Sequence, residues 1–240
     1  MTRKYAYINQ KLYIGQALKR LGISGCTRLP RLTLVYHRPG APIGYLLLKV
    51  FIDALEARLG DHVELVEVND AELIDSEKIL VLLPCRGGHW HHLLNRVKVG
   101  KIARLPPTVI AMVFARSARA RGVERVALCY LKARRFREEQ DEDIRAIVAT
   151  LKHFGIEAKT LALDSMEPPK KEAAVMQLEG YAVAPLAIFP GKLTETCHSI
   201  LKGVRLGPLL VEGFDILLEW AYRVAREQHA RPCGHYVWMI

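Results

Sequence analysis

The sequence predicts an α/β protein built twice over, and three observations carry that expectation. The stretch Ile79-Leu-Val-Leu-Leu83 is apolar throughout, with no polar alternation. Such a run reads as a strand covered on both faces, hence a central strand of a parallel sheet. Strand-like runs also alternate with helix-length stretches whose apolar residues recur at helical spacing. Finally, the order of elements in the first half returns in the second.

The first predicted strand, 32–36, ends in His37-Arg-Pro-Gly40. A helix opens after Pro42, runs through Leu46, Val50, Leu55 and Leu59, and stops at Gly60. A strand over 63–68 leads through a link at 69–78, read as holding a short helix, to the apolar strand. The chain then turns through Gly87-Gly88 and delivers His89, His91 and His92. A short helix over 90–97, a short strand over 101–104 and a helix from Pro107 to Arg121, closed by Gly122, complete the first half. The second half predicts strands at 126–130, 156–163, 181–189 and 204–206. Its helices are expected at 138–154, 168–178, 192–202 and 208–227.

The two halves correspond residue by residue. Leu34-Val35-Tyr36-His37 lies over Leu128-Cys129-Tyr130-Leu131, and the turn around Gly87-Gly88-His89 lies over Gly191-Lys192-Leu193. The offset grows from 94 to 104 residues between these points, because the second copy has the longer second helix. The expected organisation is therefore an N-terminal appendage (1–30), a first domain (31–122), a second domain (123–228) and a C-terminal tail (229–240). The two domains are expected to pack face to face. The appendage has apolar residues near helical spacing over 9–21, with Gly22 as a stop.

Composition narrows the class. The 240 residues carry a net charge of +10, which suits a polyanionic partner. The basic residues concentrate in two runs, 116–125 and 132–137, both also readable as solvated helix faces. Five cysteines, widely spaced and without a CxxC pair, argue against a disulfide framework or a cysteine-rich zinc site. No apolar run approaches the roughly 20 residues of a membrane span, and no secretory leader is evident. A cytoplasmic protein with no membrane partner is expected. No P-loop or GxGxxG follows a strand, so no nucleotide cofactor is expected. The basic runs lack interleaved aromatics, so no nucleic-acid partner is expected either. Oligomeric state stays open.

Parallel strands joined by right-handed crossovers place their C-terminal ends on one edge, where ligands of open α/β sheets bind. His37 ends the first strand and His89 follows the third, so both overhang that edge. Two imidazoles there can ligate a divalent metal such as Co, Ni, Fe or Zn. The matching second-half positions are Leu131 and Leu193, which implies a single asymmetric site between the halves. Cys85 stands beside it, as a soft third ligand or as a small buried residue. In the tail, His229, Cys233 and His235 lack a closed zinc spacing.

These residues together resemble the class II tetrapyrrole chelatases, in particular the sirohydrochlorin cobaltochelatase type with two tandem domains. The apolar strand, the Gly-Gly-His turn, His37 at the end of the first strand, and Phe189-Pro190-Gly191 at the matching second-half turn carry the likeness, over about residues 32–228. It implies two chelatase-like domains, each a small parallel sheet flanked by helices, facing across a cleft. It implies ATP-independent insertion of Co²⁺, or in relatives Fe²⁺ or Ni²⁺, into a metal-free tetrapyrrole, with metal as substrate. The family's metal histidines fall on His37 and His89, and a family acidic residue falls on Glu67, giving a catalytic set of His37, His89 and Glu67. An acidic tetrapyrrole such as sirohydrochlorin would meet carboxylate partners in Arg38, Arg86, His91 and His92. Two features depart from the family pattern. His37 is followed by Arg-Pro-Gly rather than Gly-Ser, and the first copy nearly lacks its second helix. A non-catalytic metal- or tetrapyrrole-binding paralogue is the alternative reading.

Overall fold

A computed structural model of the chain describes residues 32–70, 74–164, 172, 175–177, 180–200 and 203–227. The expected helix over 9–21, most of the one over 168–178, and the tail from 229 lie outside the described residues.

In the first half, β1 (Leu32–Tyr36), β2 (Val63–Glu67), β3 (Ile74–Leu82) and β4 (Val97–Arg104) form a parallel sheet in the order β2-β1-β3-β4. In the second half, β5 (Arg125–Leu131), β6 (Glu157–Leu163) and β7 (Ala182–Pro185) form a parallel sheet in the order β6-β5-β7. A lone parallel bridge from Val183 to Arg205 stands where a fourth strand would lie. The halves thus share one topology, with the last strand of the second reduced to a bridge. This is the expected α/β class: two parallel sheets flanked by helices.

The apolar run behaves as its composition demands. Ile79, Leu80, Val81 and Leu82 have no exposed surface. Leu80 and Leu82 pack with Leu34, Phe51 and Leu55 on one face, while Ile79 and Val81 pack with Val35 and Leu93 on the other. Helix α1 (Pro42–Leu59) has proline at its start and ends where Gly60, at φ 66°, donates its N–H to the Glu56 carbonyl. Helix α2 (Gly88–Leu94) follows β3, and α3 (Pro107–Ala120) follows β4. In the second half α4 (Arg137–His153) follows β5, α5 (Lys192–Ile200) follows β7, and α6 (Leu209–Glu212) and α7 (Phe214–Glu227) end the described chain.

The last helix of each half lies on the other half. Helix α3 packs along α4, and α7 packs on α1. There Phe214 meets Phe51 edge-on at 5.7 Å and Arg58 pairs with Glu219 at 2.9 Å. One core cluster accordingly includes Leu34, Phe51, Ile144 and Leu217. Burial of this shared apolar surface holds the two sets of strand ends against each other.

Several boundaries differ from expectation. The link at 69–78 is strand from Ile74 onward rather than helix, and β4 begins at Val97. The polar stretch Asp75-Ser-Glu-Lys78 carries two register irregularities in its pairing with β4. Buried Lys78 is satisfied there by donating to the Ala225 carbonyl at 2.5 Å. The strand expected to Phe189 ends at Pro185, where the Ala187 N–H turns back to the Pro185 carbonyl. The helix expected over 208–227 breaks at Gly213, where α3 passes so close that a Cβ would lie 2.3 Å from Val113 Cγ2.

Candidate metal centre

His37 is the first residue beyond β1, and His89 lies in the first turn of α2, just beyond β3. Because β1 and β3 are parallel neighbours, both imidazoles reach the same edge. Their ring centroids are 4.7 Å apart, with the planes crossed at 76°. The Nδ1 of His37 lies 3.1 Å from the Arg38 carbonyl. A carbonyl only accepts, so this contact places a proton on Nδ1, which makes Nε2 the ring atom available to a ligand. Metal-ligating histidines are commonly oriented in this way.

His89 reaches solvent, yet desolvation by the surrounding protein, followed by the neighbouring His37 and His92, lowers its pKa from the usual imidazole value. It is therefore neutral and able to donate a lone pair at neutral pH. For metal–nitrogen bonds of about 2.0–2.1 Å, a ring centroid sits about 3.2 Å from the ion, so centroids 4.7 Å apart subtend roughly 95° at a shared ion. That angle leaves the other coordination positions to water or incoming substrate.

Among the described residues no group of three His, Cys, Asp or Glu could hold a metal, so none of them joins the pair as a third donor. Glu67, at the end of β2 beside Tyr36, stands apart from it and accepts a hydrogen bond from Asn69 Nδ2 at 3.0 Å. Cys85 is not placed as a ligand. Burial pushes its thiol up to about 11, and Gln140 Nε2 donates to its Sγ at 3.5 Å.

The remaining rim residues are divided between tasks. Arg38 donates from Nε to the Tyr45 hydroxyl at 2.9 Å, and His92 sits half-buried on α2. Arg86 and His91, expected to meet substrate, are engaged by the second half instead. The Arg86 backbone N–H donates to Asp143 Oδ2 at 2.7 Å, its Nε to Oδ1 at 3.1 Å, and its Nη2 to Glu142 at 2.8 Å. Arg104 adds a two-pronged contact to Asp143 at 2.6 and 2.9 Å. His91 stacks on Phe136 with centroids 3.6 Å apart and meets Glu139 at 2.8 Å. Both side chains are anchors between the halves, because each found a carboxylate supplied by α4.

Asp143 and Gln140 were not singled out from the sequence, although a signal existed. They fall in phase with Ile144, Ile147 and Leu151 on the buried face of α4. A polar residue on an apolar stripe must have a partner. Opposite this junction, the His37 turn meets the second-half Phe-Pro-Gly turn. A Cβ on Gly191 would lie 3.3 Å from Gly40 Cα, and Tyr36 meets Phe189 edge-on at 6.5 Å. The second-half counterparts of the histidines are leucines, with Leu131 40% exposed and Leu193 packed on the outer core of its sheet.

No family model matches the sequence, and no curated protein does. Among solved structures the chain is similar to CbiX, the terminal enzyme for biosynthesis of siroheme in denitrifying bacteria. The match has 16% identity and a TM-score of 0.53, and covers 84% of this chain and 100% of that one. The chain has a chelatase-like fold. Weaker similarities join it to an ABC domain in complex with L-Trp from Streptococcus pneumonia (10% identity, TM-score 0.41, 84% and 86% of the two chains). A LacI-family sugar-binding transcriptional regulator from Enterococcus faecalis matches at 11% identity and TM-score 0.43, over 84% and 90% of the two chains. No helix among the described residues is long and apolar enough to cross a membrane.

Proposed function

We propose that this chain inserts a divalent metal into a metal-free tetrapyrrole, acting on sirohydrochlorin or a close relative without ATP, in the cytoplasm. Co²⁺ is the preferred ion, with Fe²⁺ and Ni²⁺ as alternatives. The observation that carries this reading is the crossed His37–His89 pair on adjacent strand ends of a chelatase-like fold. Two neutral imidazoles bind a divalent ion well enough to collect it and loosely enough to release it. As the ion enters the macrocycle the pyrrole N–H protons must leave, and a freed imidazole can accept one. Glu67, one strand further along the edge, is the carboxylate that would pass protons to water.

Mixing the protein with Co²⁺ and sirohydrochlorin should shift the visible spectrum of the tetrapyrrole faster than in buffer. His89→Ala removes one of two ligands and should lower that rate by at least the 10- to 100-fold typical of losing a mere outer-shell partner. Its circular dichroism should be unchanged. A variant as active as the wild type ends the assignment.

A second reading, a carrier that binds metal or tetrapyrrole without turnover, is favoured by one observation: Arg86 is held in ion pairs and His91 against Glu139, rather than left for substrate. Stoichiometric binding with no excess over spontaneous insertion would select it.

A further inference from the structure

The densest basic run near the metal pair, 132–137, is used unevenly. Lys132 pairs with Asp164 at 2.8 Å and Arg137 with Asp141 at 3.5 Å. Arg134 and Arg135, between them, are exposed and have no carboxylate partner among the described residues.

The chain on either side of these two arginines is pinned to the loop that carries His89. On one side, Ala133 Cβ lies 3.6 Å from where a Gly87 Cβ would be. On the other, Phe136 stacks on the His91 ring. Residues 133–136 therefore run alongside 87–91, the segment that carries His89. Three residues span at most about 10–11 Å, so neither arginine backbone can stray far from that rim. Phe136 is also held at φ 59° and ψ 38°, the left-handed region that a bulky residue enters only when its surroundings impose it.

The charge pattern gives this placement its meaning. Arg86 and Arg104 share the buried Asp143 carboxylate, so the uncompensated cations on this rim are Arg134 and Arg135. A macrocycle centred on the histidine pair holds its pyrrole nitrogens over the imidazoles and its carboxylates at its periphery. Cations that meet those carboxylates must stand outside the pair, and the 133–136 stretch borders the turn that carries His89. The guanidinium fork matches a carboxylate in two hydrogen bonds. The equivalent first-half positions, Gly40 and Ala41, carry no charge, and on that side Arg38 is turned to the Tyr45 hydroxyl.

We propose that Arg134 and Arg135 are the carboxylate-binding residues for a polycarboxylate tetrapyrrole, an assignment that rests on the chelatase reading above. The test is fluorescence titration of the full chain with metal-free sirohydrochlorin, alongside Co²⁺ titration and insertion kinetics. The R134Q/R135Q variant should weaken sirohydrochlorin binding by roughly 5- to 20-fold, the sum of two solvent-exposed charge pairs. It should raise KM more than it lowers kcat, flatten the salt dependence, and leave Co²⁺ binding as in the wild type. R134K/R135K should recover part of the loss, which a packing defect would not. Unchanged sirohydrochlorin affinity in the double variant overturns the assignment, as does a wild type that binds no sirohydrochlorin or is displaced from it by single-stranded RNA. Arginine-dependent binding with no metal insertion refutes insertion alone. Insertion with an unchanged KM in the variant refutes the arginines alone.

Discussion

The two junctions that bring the halves together beside the histidine pair are related by the duplication yet built from different physics. Beside His89 the contact is ionic: Asp143, 2% exposed, accepts hydrogen bonds from both Arg86 and Arg104. Beside His37 it is apolar and made by close approach, with Gly40 against Gly191, and Pro39 and Phe189 crowding Gly44. The offset that relates the first strands puts Lys49 at the position of Asp143, and Lys49 pairs along its own helix with Asp53 at 2.6 Å. One half thus carries a charged clamp where the other has small residues in close contact. Duplication supplies the symmetry, and each half then solves its contact with the side chains it has. The loop that carries the pKa-lowered imidazole is the one held by charge.

The largest effect should come from breaking the ionic junction. Asp143→Asn keeps the shape but leaves part-buried Arg104 without its counter-charge and Arg86 with only the exposed Glu142. Removing one partner of a buried pair costs about 3–5 kcal/mol, and for a chain of this size each kcal/mol lowers Tm by roughly 2–4 °C. The expected drop is therefore about 6–20 °C by calorimetry. Co²⁺ affinity should fall too, because the Arg86 backbone N–H loses strength in the bond that fixes the turn before His89. A variant as stable as the wild type would show that the clamp holds nothing.

A junction far from the site provides the contrast. Glu212 receives Ser117 Oγ at 2.7 Å, Arg121 at 2.9 Å twice, and the Gly207 N–H at 2.5 Å, tying α6 to the end of α3. Burial raises its pKa, but the hydrogen bonds from Ser117, Gly207 and Arg121 outweigh that and hold it below the usual 4.5. A depressed carboxylate contributes stability that is present above its unfolded pKa and lost as pH falls through its folded value. Glu212→Gln should cost about 1.5–3 kcal/mol at pH 7, measured as a urea midpoint. The gap from the wild type should narrow below about pH 4.5 and leave Co²⁺ binding untouched. A gap that stays constant down to pH 3 would contradict the charged hydrogen-bond network.

Much of this was legible in the chain, for identifiable reasons. Unbroken apolar runs such as Ile79–Leu82 leave little choice but a covered strand, and two strand ends on one edge bring His37 and His89 together without any contact being known. What was not legible depended on partners distant in sequence. Arg86 looked available to substrate because its two carboxylates come from a helix 56 and 57 residues away. Asp75-Ser-Glu-Lys78 read as a link because nothing local shows that the Ala225 carbonyl will satisfy the lysine. Gly213 sat inside a good helical pattern, and only the approach of Val113 shows why that position must be glycine.

The smallest effect, and the sharpest test of the apolar junction, is Gly44→Ala. In the first turns of a helix, replacing glycine by alanine ordinarily stabilises by about 0.5–1 kcal/mol, since glycine surrenders more backbone freedom on folding. Here the new methyl would lie 2.6 Å from Pro39 Cβ and 3.3 Å from Phe189 Cβ. Pro39 is a rigid ring and Phe189 is buried, so neither yields as the end of a flexible side chain would. Overpacking costs typically 1–3 kcal/mol, so the sign should reverse to a net loss on the order of 1 kcal/mol in urea unfolding. Pro39 is two residues from His37, and relief of the clash must move the turn that orients that imidazole through the Arg38 carbonyl. Co²⁺ affinity should therefore fall by more than the stability loss alone predicts. A variant that gains stability with unchanged Co²⁺ binding would mean that the His37 turn is not held by close approach, and that the ionic clamp positions both histidines.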